Sequence, residues 1–458
     1  MTKTTHQMLG PVVAVLSYGF AFYFGMPQPA AWTLGVTVWV AWWWISEAIP
    51  IPATSFLPFV LLPLGGVLEY QEATLSIGNH VIVLFMGAFM LARGIEASGV
   101  HERLALGLVG RIGGSNGRLI VFAFMLAVAF LSMWISNTAS VLALLPVATA
   151  IAAATGNHRF QIALLLGLAY AASLGGVATL IGTPPNLIFA SVYETYSGEE
   201  FGFLRWMQYG LPITLIGLPL MALWLTRGLK LEKPIELKEV GAFTVHEKRA
   251  LMVFGTVVAL WVTRGEPFGG WMNWFNLPMM GDAPVALAGA VAMFLVPNGK
   301  GGRLLTWERA VSIPWGVLLL FAGGICLAAG FMASGLSEII GNTLSALTVL
   351  PLWLLVLLLS LSVSFLTEIT SNTATATLLM PILASTAIAA GLPLEILMIP
   401  AVVACTCAFC LPVATAPNSI VFASNMVTIK QMTREGVVLN VMLAFISSAV
   451  VLVVSGAW

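Results

Sequence analysis

The sequence has very little charge. Lys, Arg, Asp and Glu make up only 8% of the 458 residues, whereas 59% are hydrophobic. Soluble domains carry roughly 25% charged residues, so the composition excludes an ordinary soluble domain and predicts an all-α polytopic membrane protein. The net charge is zero, and we expect no nucleic acid among its partners.

Residues for catalysis or metal binding are also scarce. The five histidines have no metal-ligand spacing, and the cysteine cluster "CTCAFC" (405–410) has no His or carboxylate beside it. We interpret these cysteines as small packing residues of a membrane bundle rather than as a metal or redox site. The sequence contains no apparent nucleophile–base pair, and we predict that the protein is not an enzyme.

Long apolar segments are abundant instead. A spanning helix needs about 20 apolar residues, and eleven segments are candidates: 8–26, 31–49, 53–68, 79–98, 160–192, 207–227, 249–264, 284–297, 311–335, 394–424 and 436–457. Two further blocks, 118–155 and 344–391, are too long for one span, and Ser-Asn-Thr interrupts each at its centre. We expect two re-entrant helical hairpins with the triads at their tips, because non-helical backbone at membrane depth must line a cavity or be buried in protein.

The distribution of basic residues predicts sidedness. With the N-terminus inside and each hairpin returning to its own side, 17 of the 19 Lys and Arg residues fall on the inner face, and only Arg205 and Arg264 fall outside. This arrangement obeys the positive-inside rule, whereas two ordinary spans in place of the hairpins would destroy the bias. We predict a multi-pass protein of the cell inner (plasma) membrane whose N-terminus is cytoplasmic and whose C-terminus is extracytoplasmic.

Three pairs of matching segments predict an internal duplication. The pairs are "LFMGAFMLARGIEASG" (84–99) with "LFAGGICLAAGFMASG" (320–335), "SNTASVLALLP" (136–146) with "SNTATATLLMP" (371–381), and "TPPNLI" (183–188) with "TAPNSI" (415–420). Their offsets are 236, 235 and 232 residues. Each copy holds five predicted spans, an odd number, so the second copy enters the membrane upside down. Such inverted repeats are typical of secondary transporters.

The duplication divides the chain into four predicted parts. These are a first transmembrane helix (1–29), a first inverted repeat (30–228) with hairpin 118–155, a cytosolic linker (229–248), and a second inverted repeat (249–458) with hairpin 344–391.

The Ser-Asn-Thr triads have the chemistry of an ion-binding site. These residue types are strong helix N-caps. A helix broken at the tip leaves N–H groups that attract an anion on the following half and C=O groups that can coordinate a cation on the preceding half. Ser132 and Thr367 lie four residues before the motif serines, on the same helix face. We expect them to be cation ligands, and the alternative is a hydrogen bond to their own helix carbonyl.

A second pair of motifs, in "GTPPN" (182–186) and "ATAPN" (414–418), lies within long apolar segments. Proline lacks a backbone donor and breaks a helix, so we expect a loop with exposed carbonyls at mid-membrane. Gly182 and Ala414 allow the backbone to approach closely, and Asn186 and Asn418 could reach across to brace a hairpin tip.

Charged residues are almost absent from the predicted tips. Glu368 lies beside the second tip, where the first copy has Met133; it is either a proton relay or a partner of backbone donors at the hairpin. Glu47, in "WISEAIPIP", is expected near the inner membrane face. Because the tips have no Lys or Arg, a divalent anion would be uncompensated in a low-dielectric site, and we expect it to be coupled to cations.

These two motifs, each present twice at repeat spacing, resemble those of the divalent anion/sodium symporter family, the sodium-coupled dicarboxylate, citrate and sulfate carriers. The resemblance covers nearly the whole chain and is particularly close in "TEITSNTATAT" (367–377). It implies an elevator mechanism, in which a domain carrying both hairpins slides against a fixed scaffold, and a homodimer embedded in membrane lipid. Ala416 stands where the first copy has Pro184, a difference that bears on substrate preference.

The resemblance also implies the site residues, with two or more sodium ions per cycle. The sodium ligands would be Ser132, Ser136, Asn137, Gly182 and Asn186 in the first copy, and Thr367, Ser371, Asn372, Ala414 and Asn418 in the second. The substrate carboxylates would contact Asn137, Thr138, Thr183, Pro185, Asn372, Thr373, Thr415 and Pro417.

The expected function is sodium-coupled symport of C4-dicarboxylates such as succinate, malate and fumarate. A sodium-independent dicarboxylate exchanger and a sodium-coupled citrate or sulfate carrier are the alternatives within the same family. An ion channel is the alternative from another class, and two occluding hairpins of opposite orientation argue against it.

Overall fold

The structure, a computed structural model, describes residues 2–112, 116–229, 241–265, 269–277, 279–344 and 350–457. Within these ranges all regular secondary structure is helical apart from one isolated β-bridge, and turns and loops connect the helices. Seven described helical segments are long and apolar enough to cross a membrane: Tyr70–Ser98, Asn137–Thr155, His158–Val177, Phe203–Leu225, Trp315–Ala333, Asn372–Ala389 and Ile429–Val454. The first of them consists of two helices separated by residues 76–79. The all-helical architecture is confirmed, whereas the number of eleven spans stays a prediction.

The first half of the described chain contains twelve helices. They are α1 (Lys3–Tyr23), α2 (Gln28–Ser46), α3 (Ile51–Thr54), α4 (Leu57–Leu64), α5 (Tyr70–Leu75), α6 (His80–Ser98), α7 (Val100–Ile112), α8 (Gly117–Ser132), α9 (Asn137–Thr155), α10 (His158–Val177), α11 (Pro184–Ser197) and α12 (Phe203–Leu225).

The second half of the described chain contains eleven helices and a 3-10 turn at Pro412–Ala414. The helices are α13 (Val245–Val262), α14 (Gly270–Trp274), α15 (Asp282–Leu295), α16 (Trp307–Ala310), α17 (Trp315–Ala333), α18 (Leu336–Leu344), α19 (Leu352–Thr367), α20 (Asn372–Ala389), α21 (Leu394–Thr406), α22 (Ala416–Phe422) and α23 (Ile429–Val454).

Three of the predicted spans are interrupted. Span 53–68 is two short helices, α3 and α4, and span 160–192 divides into α10 and α11 at residues 178–183. Span 394–424 divides into α21 and α22 at residues 407–415. Helices α11 and α22 both begin with proline in the first turn. Proline is tolerated there but lacks the N–H that an uninterrupted helix would need.

Both predicted hairpins consist of two helices that are broken at Ser-Asn-Thr. Block 118–155 forms α8 and α9, and block 344–391 forms α19 and α20, with residues 345–349 outside the described part of the chain. Most of the predicted linker 229–248 also lies outside it, and α13 already begins within the predicted linker.

The broken helices α10 and α21 lie at the centre of the main core. Nearly every residue of both is buried. Helix α10 packs against the hairpin of its own copy, α8 and α9, and α21 packs against α19 and α20. The helix after each break crosses to the other copy, because α11 packs on α20 and α22 packs on α9. This crossing brings the two loops and the two hairpin tips together.

A second, smaller core fixes the end of α2. It contains buried side chains of α2, α4 and α17 and includes Trp44, which is fully buried. The Trp44 indole Nε1 donates a hydrogen bond to Ser55 Oγ (3.3 Å). The last turn of α2 is therefore anchored just before Glu47.

Candidate functional site

Each Ser-Asn-Thr triad lies where one helix of a hairpin ends and the next begins. Ser136 precedes α9, and its Oγ accepts a hydrogen bond from the backbone N–H of Ala139 (3.2 Å). Ser371 precedes α20, and its Oγ accepts one from the N–H of Ala374 (3.4 Å). Both serines are therefore N-caps, because their hydroxyls satisfy backbone donors that a helix start leaves unpaired.

The hydroxyls one turn before the triads point to the tips. Ser132 Oγ donates to Asn137 Oδ1 (2.5 Å). Thr367 Oγ1 donates to Asn372 Oδ1 (2.6 Å) and is also 3.2 Å from the carbonyl oxygen of Cys405. Among the hydrogen bonds of the described residues, neither hydroxyl donates to a carbonyl of its own helix. The structure therefore does not contain the alternative arrangement, a hydrogen bond from each hydroxyl to a carbonyl of its own helix.

The loop between α10 and α11 is held by the asparagine of its Thr-Pro-Pro-Asn motif. Asn186 is fully buried, and its Nδ2 donates to the carbonyl oxygens of Gly176 (3.0 Å) and Thr179 (2.8 Å). The Thr179 carbonyl also accepts from the N–H of Gly182 (3.3 Å), so the amide of Asn186 adds to the hydrogen bonding of carbonyls at the break in the helix.

The second copy repeats this arrangement. Asn418 is also fully buried, and its Nδ2 donates to the carbonyl oxygens of Ala408 and Leu411, at 3.0 Å each. Asn418, Ala408 and Leu411 each lie 232 positions after their counterparts Asn186, Gly176 and Thr179 in the first copy. The duplication is thus present in the hydrogen bonds as well as in the sequence.

The two asparagines do not brace the hairpin tips in the way the sequence suggested. Their amide nitrogens bond to their own loops, because the broken helices leave carbonyls there without partners. The Oδ1 atoms of Asn186 and Asn418 are buried, and neither has a hydrogen-bond partner among the described residues. The side chains of Asn186 and Asn418 therefore each keep a buried oxygen acceptor that no described residue uses.

A cavity of about 580 Å³ lies where the tips and loops meet. It is lined by all eight residues that were predicted to contact substrate: Asn137, Thr138, Thr183, Pro185, Asn372, Thr373, Thr415 and Pro417. Six predicted sodium ligands also line it: Ser136, Asn137, Gly182, Ser371, Asn372 and Ala414. Residues far apart in the chain thus share one cavity.

The other four predicted sodium ligands lie behind the cavity wall. Ser132, Asn186, Thr367 and Asn418 are all fully buried and do not line the cavity. They are nevertheless coupled to it, because the two hydroxyls bond to the asparagines of the tips and the two amides hold the loops.

The cavity presents oxygen atoms and helix N-termini rather than cationic side chains. Of the described residues that line it, Glu47 is the only charged one, and none is Lys or Arg. Helices α9, α11 and α20 begin at its wall. Their open N–H groups and partial positive charge favour an anion, while hydroxyl, amide and carbonyl oxygens are suitable ligands for a hard cation.

Glu368 bonds to backbone donors, as one of the two sequence interpretations held. It is buried, and its Oε1 accepts from the N–H of Cys410 (2.8 Å) and from Asn440 Nδ2 (2.7 Å). Its Oε2 accepts from the N–H of Leu411 (3.0 Å). The carboxylate therefore ties the second hairpin to the loop that carries Ala414.

The first copy makes the equivalent connection with neutral groups. Met133, which stands where the second copy has Glu368, accepts a hydrogen bond at its carbonyl oxygen from Thr179 Oγ1 (2.5 Å). Each hairpin tip is therefore fastened to its own loop, although the chemistry differs between the copies.

Sequence reasoning missed several residues that line the cavity. They are Ile45, Ala88, Phe89, Ala92, Trp134, Ile135, Ser173, Ile181, Pro314, Val317, Ile369, Thr370, Thr406 and Val413. Trp134, Ile135, Ile369 and Thr370 lie between the paired hydroxyls and the triads, so the motif itself could have indicated them. The residues from α6 and α17 are ordinary apolar positions in the sequence, and only packing brings them to the cavity.

Known carriers are similar to this chain in sequence. Two relatives, both named sodium-dependent dicarboxylate transporter SdcS, are 38% identical to it. The protein from Staphylococcus saprophyticus matches over 95% of this chain and 88% of its own length, and the one from Staphylococcus aureus over 98% and 91%. A solved structure, the YdaH transporter of Alcanivorax borkumensis, described as having an unusual topology, shares the fold with a TM-score of 0.61. It has 14% identity and covers 94% of this chain and 99% of its own.

The sequence model of one family matches most of the chain. The citrate transporter family matches residues 41–406, a range that includes both triads, both hairpins and the broken helices α10 and α21, and that ends before α22. Together with the near full-length relatives, this match confirms the predicted resemblance to sodium-coupled di- and tricarboxylate carriers. The chain is a multi-pass membrane transport protein, not an enzyme, and it belongs to the citrate transporter family.

Proposed function

We propose that the protein is a secondary active transporter that carries C4-dicarboxylates, such as succinate, malate and fumarate, together with sodium. The observation that carries this proposal is the single cavity on which both triads and both broken-helix loops converge. The names of the near full-length relatives, sodium-dependent dicarboxylate transporters, support it.

Sodium coupling follows from the charge of the cavity. A dicarboxylate would bring two negative charges to a wall that has no Lys or Arg among its described residues and one carboxylate, Glu47. Removing a charged group from water costs several kcal/mol per ion unless it is compensated. Two sodium ions close to the dianion would offset this cost.

We assign one sodium ion to each copy. The first would be held by Ser132, Ser136, Asn137, Gly182 and Asn186, and the second by Thr367, Ser371, Asn372, Ala414 and Asn418. The unpaired Oδ1 atoms of Asn186 and Asn418 support this assignment. A buried acceptor without a partner costs about 1–3 kcal/mol, and a cation that is coordinated nearby would offset that cost.

We assign the substrate carboxylates to the faces of the triads that line the cavity. The starts of α9 and α20 meet there, and each can supply N–H groups to one carboxylate. A C4-dicarboxylate has one carboxylate at each end, so the two related tips fit its two ends. The residues of this site would be Asn137, Thr138, Thr183, Pro185, Asn372, Thr373, Thr415 and Pro417.

Two ion pairs support the inverted relation of the repeats. Arg159, near the start of α10, pairs with Glu435 of α23 (3.1 Å). Glu395, near the start of α21 and 395 − 159 = 236 residues later, pairs with Arg205 of α12 (2.5 Å). In the repeat, α10 corresponds to α21 and α12 corresponds to α23. The pair between α10 and α23 therefore corresponds to the pair between α21 and α12, with the basic and acidic residues exchanged. In the predicted topology these pairs lie on opposite sides of the membrane.

We propose that the structure is the inward-facing state of an elevator transporter. Glu47 and Pro314, which line the cavity, lie at the inner ends of the predicted spans 31–49 and 311–335. At the predicted outer side, contacts join the α11–α12 segment to α13 and α15. Arg264 Nη1 is 2.9 Å from Glu200 Oε2, and the N–H of Phe203 donates to Asp282 Oδ2 (2.8 Å). These contacts would have to break when the hairpins move outward.

The remaining architecture follows the sequence predictions. We propose eleven spans and two re-entrant hairpins, divided into a first helix (1–29), a first repeat (30–228), a cytosolic linker (229–248) and a second repeat (249–458). We propose that the protein is a homodimer in the inner membrane, with a cytoplasmic N-terminus and an extracytoplasmic C-terminus. Two or more sodium ions would move in each cycle.

Citrate is the second candidate substrate, because the matching family model is described as a citrate transporter. The cavity volume of about 580 Å³ leaves room for a third carboxylate. The described cavity wall has no Lys or Arg for either substrate. Citrate carries more negative charge than a C4-dicarboxylate, so more sodium would be needed to compensate it. We therefore rank citrate below the C4-dicarboxylates.

Uptake of labelled succinate into proteoliposomes tests the proposal. An inward sodium gradient should drive accumulation, an equal potassium gradient should not, and unlabelled malate or fumarate should compete better than citrate or sulfate. Asn137→Ala and Asn372→Ala, at equal abundance in the membrane, should nearly abolish uptake. Succinate exchange that is indifferent to sodium would indicate an exchanger, and no movement of succinate, citrate or sulfate under any cation gradient would contradict the proposal.

A further inference from the structure

Among the described residues, Glu47 is the one charged residue on the wall of the cavity that we assign to a dianion. It lies at the end of α2, is exposed, and lines the cavity together with Ile45. Arg93 lies on α6, a helix that contributes other residues to the cavity wall, but Arg93 itself does not line the cavity. Its guanidinium is already bound by Glu96 (2.7 Å) and by the carbonyl oxygen of Ser312 (2.8 Å).

The backbone of Glu47 is unusual. It is the C-cap of α2 and adopts the left-handed conformation, with φ 46° and ψ 40°. The other described non-glycine residues with positive φ are Asn276 and Asn425, and asparagine tolerates this region. Glycine or asparagine would suit the end of a helix better. The strained backbone of this glutamate therefore supports the hypothesis that its side chain has a role.

The position of Glu47 relative to the hairpins matters for its effect. Helix α2 packs most extensively against α1 and also contacts α4 and α17 in the smaller core, where it touches α20 of the second hairpin as well. In the proposed elevator movement the triads travel with the hairpins, whereas Glu47 stays with the scaffold. The carboxylate would then face the substrate site only while that site is open to the inside.

We propose that Glu47 weakens dianion binding at the inner opening and thereby promotes release of the substrate into the cytoplasm. A fixed negative charge repels a dicarboxylate through a solvated opening, where the interaction is moderate and screened by salt. While sodium is bound, its positive charge attracts the dicarboxylate and opposes the repulsion by Glu47. When sodium leaves, this attraction is lost, so Glu47 repels the substrate most strongly at the release step. This inference rests on the proposed function and names a residue outside the assigned substrate and sodium sites.

Membrane vesicles of both orientations test the inference. Right-side-out vesicles report the KM for succinate at the outer face, and inverted vesicles report it at the inner face. Both are measured at saturating sodium, so that any attraction of Glu47 for sodium does not contribute. Glu47→Gln removes the charge, and Glu47→Asn removes it with a residue that tolerates the left-handed backbone.

We expect both neutral variants to lower the inner-face KM by roughly 3- to 10-fold, the scale of one screened charge acting on a dianion. The outer-face KM should stay within about twofold of the wild-type value. Glu47→Asp should behave as the wild type, because it keeps the charge. Glu102→Gln is the matched control, since it removes an exposed carboxylate that does not line the cavity.

An unchanged inner-face KM in both neutral variants would overturn the inference while leaving sodium-driven succinate transport intact. An equal change at both faces would also overturn it, since it would indicate a structural role. Failure of the wild-type protein to transport succinate at either face would instead contradict the proposed function, and this inference with it.

Discussion

Replacing Thr367 by valine tests whether the second copy holds a sodium ion. The change keeps the shape of the side chain and removes only the hydroxyl. In the structure, Thr367 is fully buried, and its Oγ1 lies 2.6 Å from Asn372 Oδ1 and 3.2 Å from the carbonyl oxygen of Cys405. The hydroxyl oxygen thus lies beside Asn372, an assigned sodium ligand, and beside one backbone carbonyl oxygen.

The expected magnitude follows from the loss of one oxygen ligand. An unsatisfied buried polar interaction costs about 1–3 kcal/mol, and each 1.4 kcal/mol is tenfold in a binding constant. Sodium affinity should therefore fall by roughly 5- to 150-fold. Because binding of the two species is linked, the apparent affinity for succinate should fall at low sodium and largely recover at high sodium.

Uptake against sodium concentration, at one low and one high succinate concentration, provides the measurement. Ser132→Ala should give the same pattern through the first copy, because Ser132 bonds to Asn137 as Thr367 bonds to Asn372. The preference among succinate, malate and fumarate should change little in either variant.

Thr386→Val is a suitable control. Its hydroxyl is also buried on a membrane helix but bonds to the carbonyl oxygen of Ile382 on its own helix (2.8 Å) and is remote from the cavity. This variant should leave the sodium curve unchanged. Sodium curves that are equally unshifted in Thr367→Val and Ser132→Ala would refute the reasoning and leave cation binding to other oxygens.

Three further predictions follow from the same geometry. Asn372→Ala should nearly abolish uptake without lowering abundance, and near-normal uptake would contradict the shared site. Ala154→Cys and Ala389→Cys test the sidedness of the hairpins. The two positions are exposed, are related by the repeat (389 − 154 = 235) and lie in the last turns of α9 and α20. In a background without the native cysteines, an impermeant thiol reagent should label Ala154→Cys from inside only and Ala389→Cys from outside only. Labelling of both from one side would rule out the inverted repeat. Glu200→Gln should remove one of the two ion pairs of Arg264 at the outer contact, leaving the pair with Asp282 (3.1 Å), and should lower the KM for external succinate. An unchanged KM would argue against the Glu200 pair as a closing element.

The candidate site was largely predictable because its signals are local. A serine before an interrupted apolar helix predicts an N-cap, and Ser136 and Ser371 are N-caps. A proline in an apolar segment predicts a break, and α11 and α22 each begin with one in the first turn. Repetition of both motifs at nearly constant spacing then indicated that the four segments belong to one site.

The remaining features depend on packing between distant segments. The direction of the Asn186 and Asn418 amides follows from carbonyls that only the broken helix exposes, so sequence reasoning aimed them at the hairpin tips instead. The contribution of α6 and α17 to the cavity depends on how α11 and α22 cross to the other copy. Length and hydrophobicity alone do not distinguish a spanning helix from a hairpin helix, because α9 and α20 are as long and apolar as the spanning helices. The number of spans therefore does not follow from them.

Equilibrium binding of labelled succinate to the purified protein tests the central claim most directly, because it asks whether sodium and substrate share one site without requiring transport. Affinity should be measured across a range of sodium concentrations at constant ionic strength, with potassium as the replacement ion. The account predicts that succinate binds tightly only with sodium and that its affinity rises with more than the first power of sodium concentration, consistent with one ion in each copy. Equal affinity in potassium alone would contradict it.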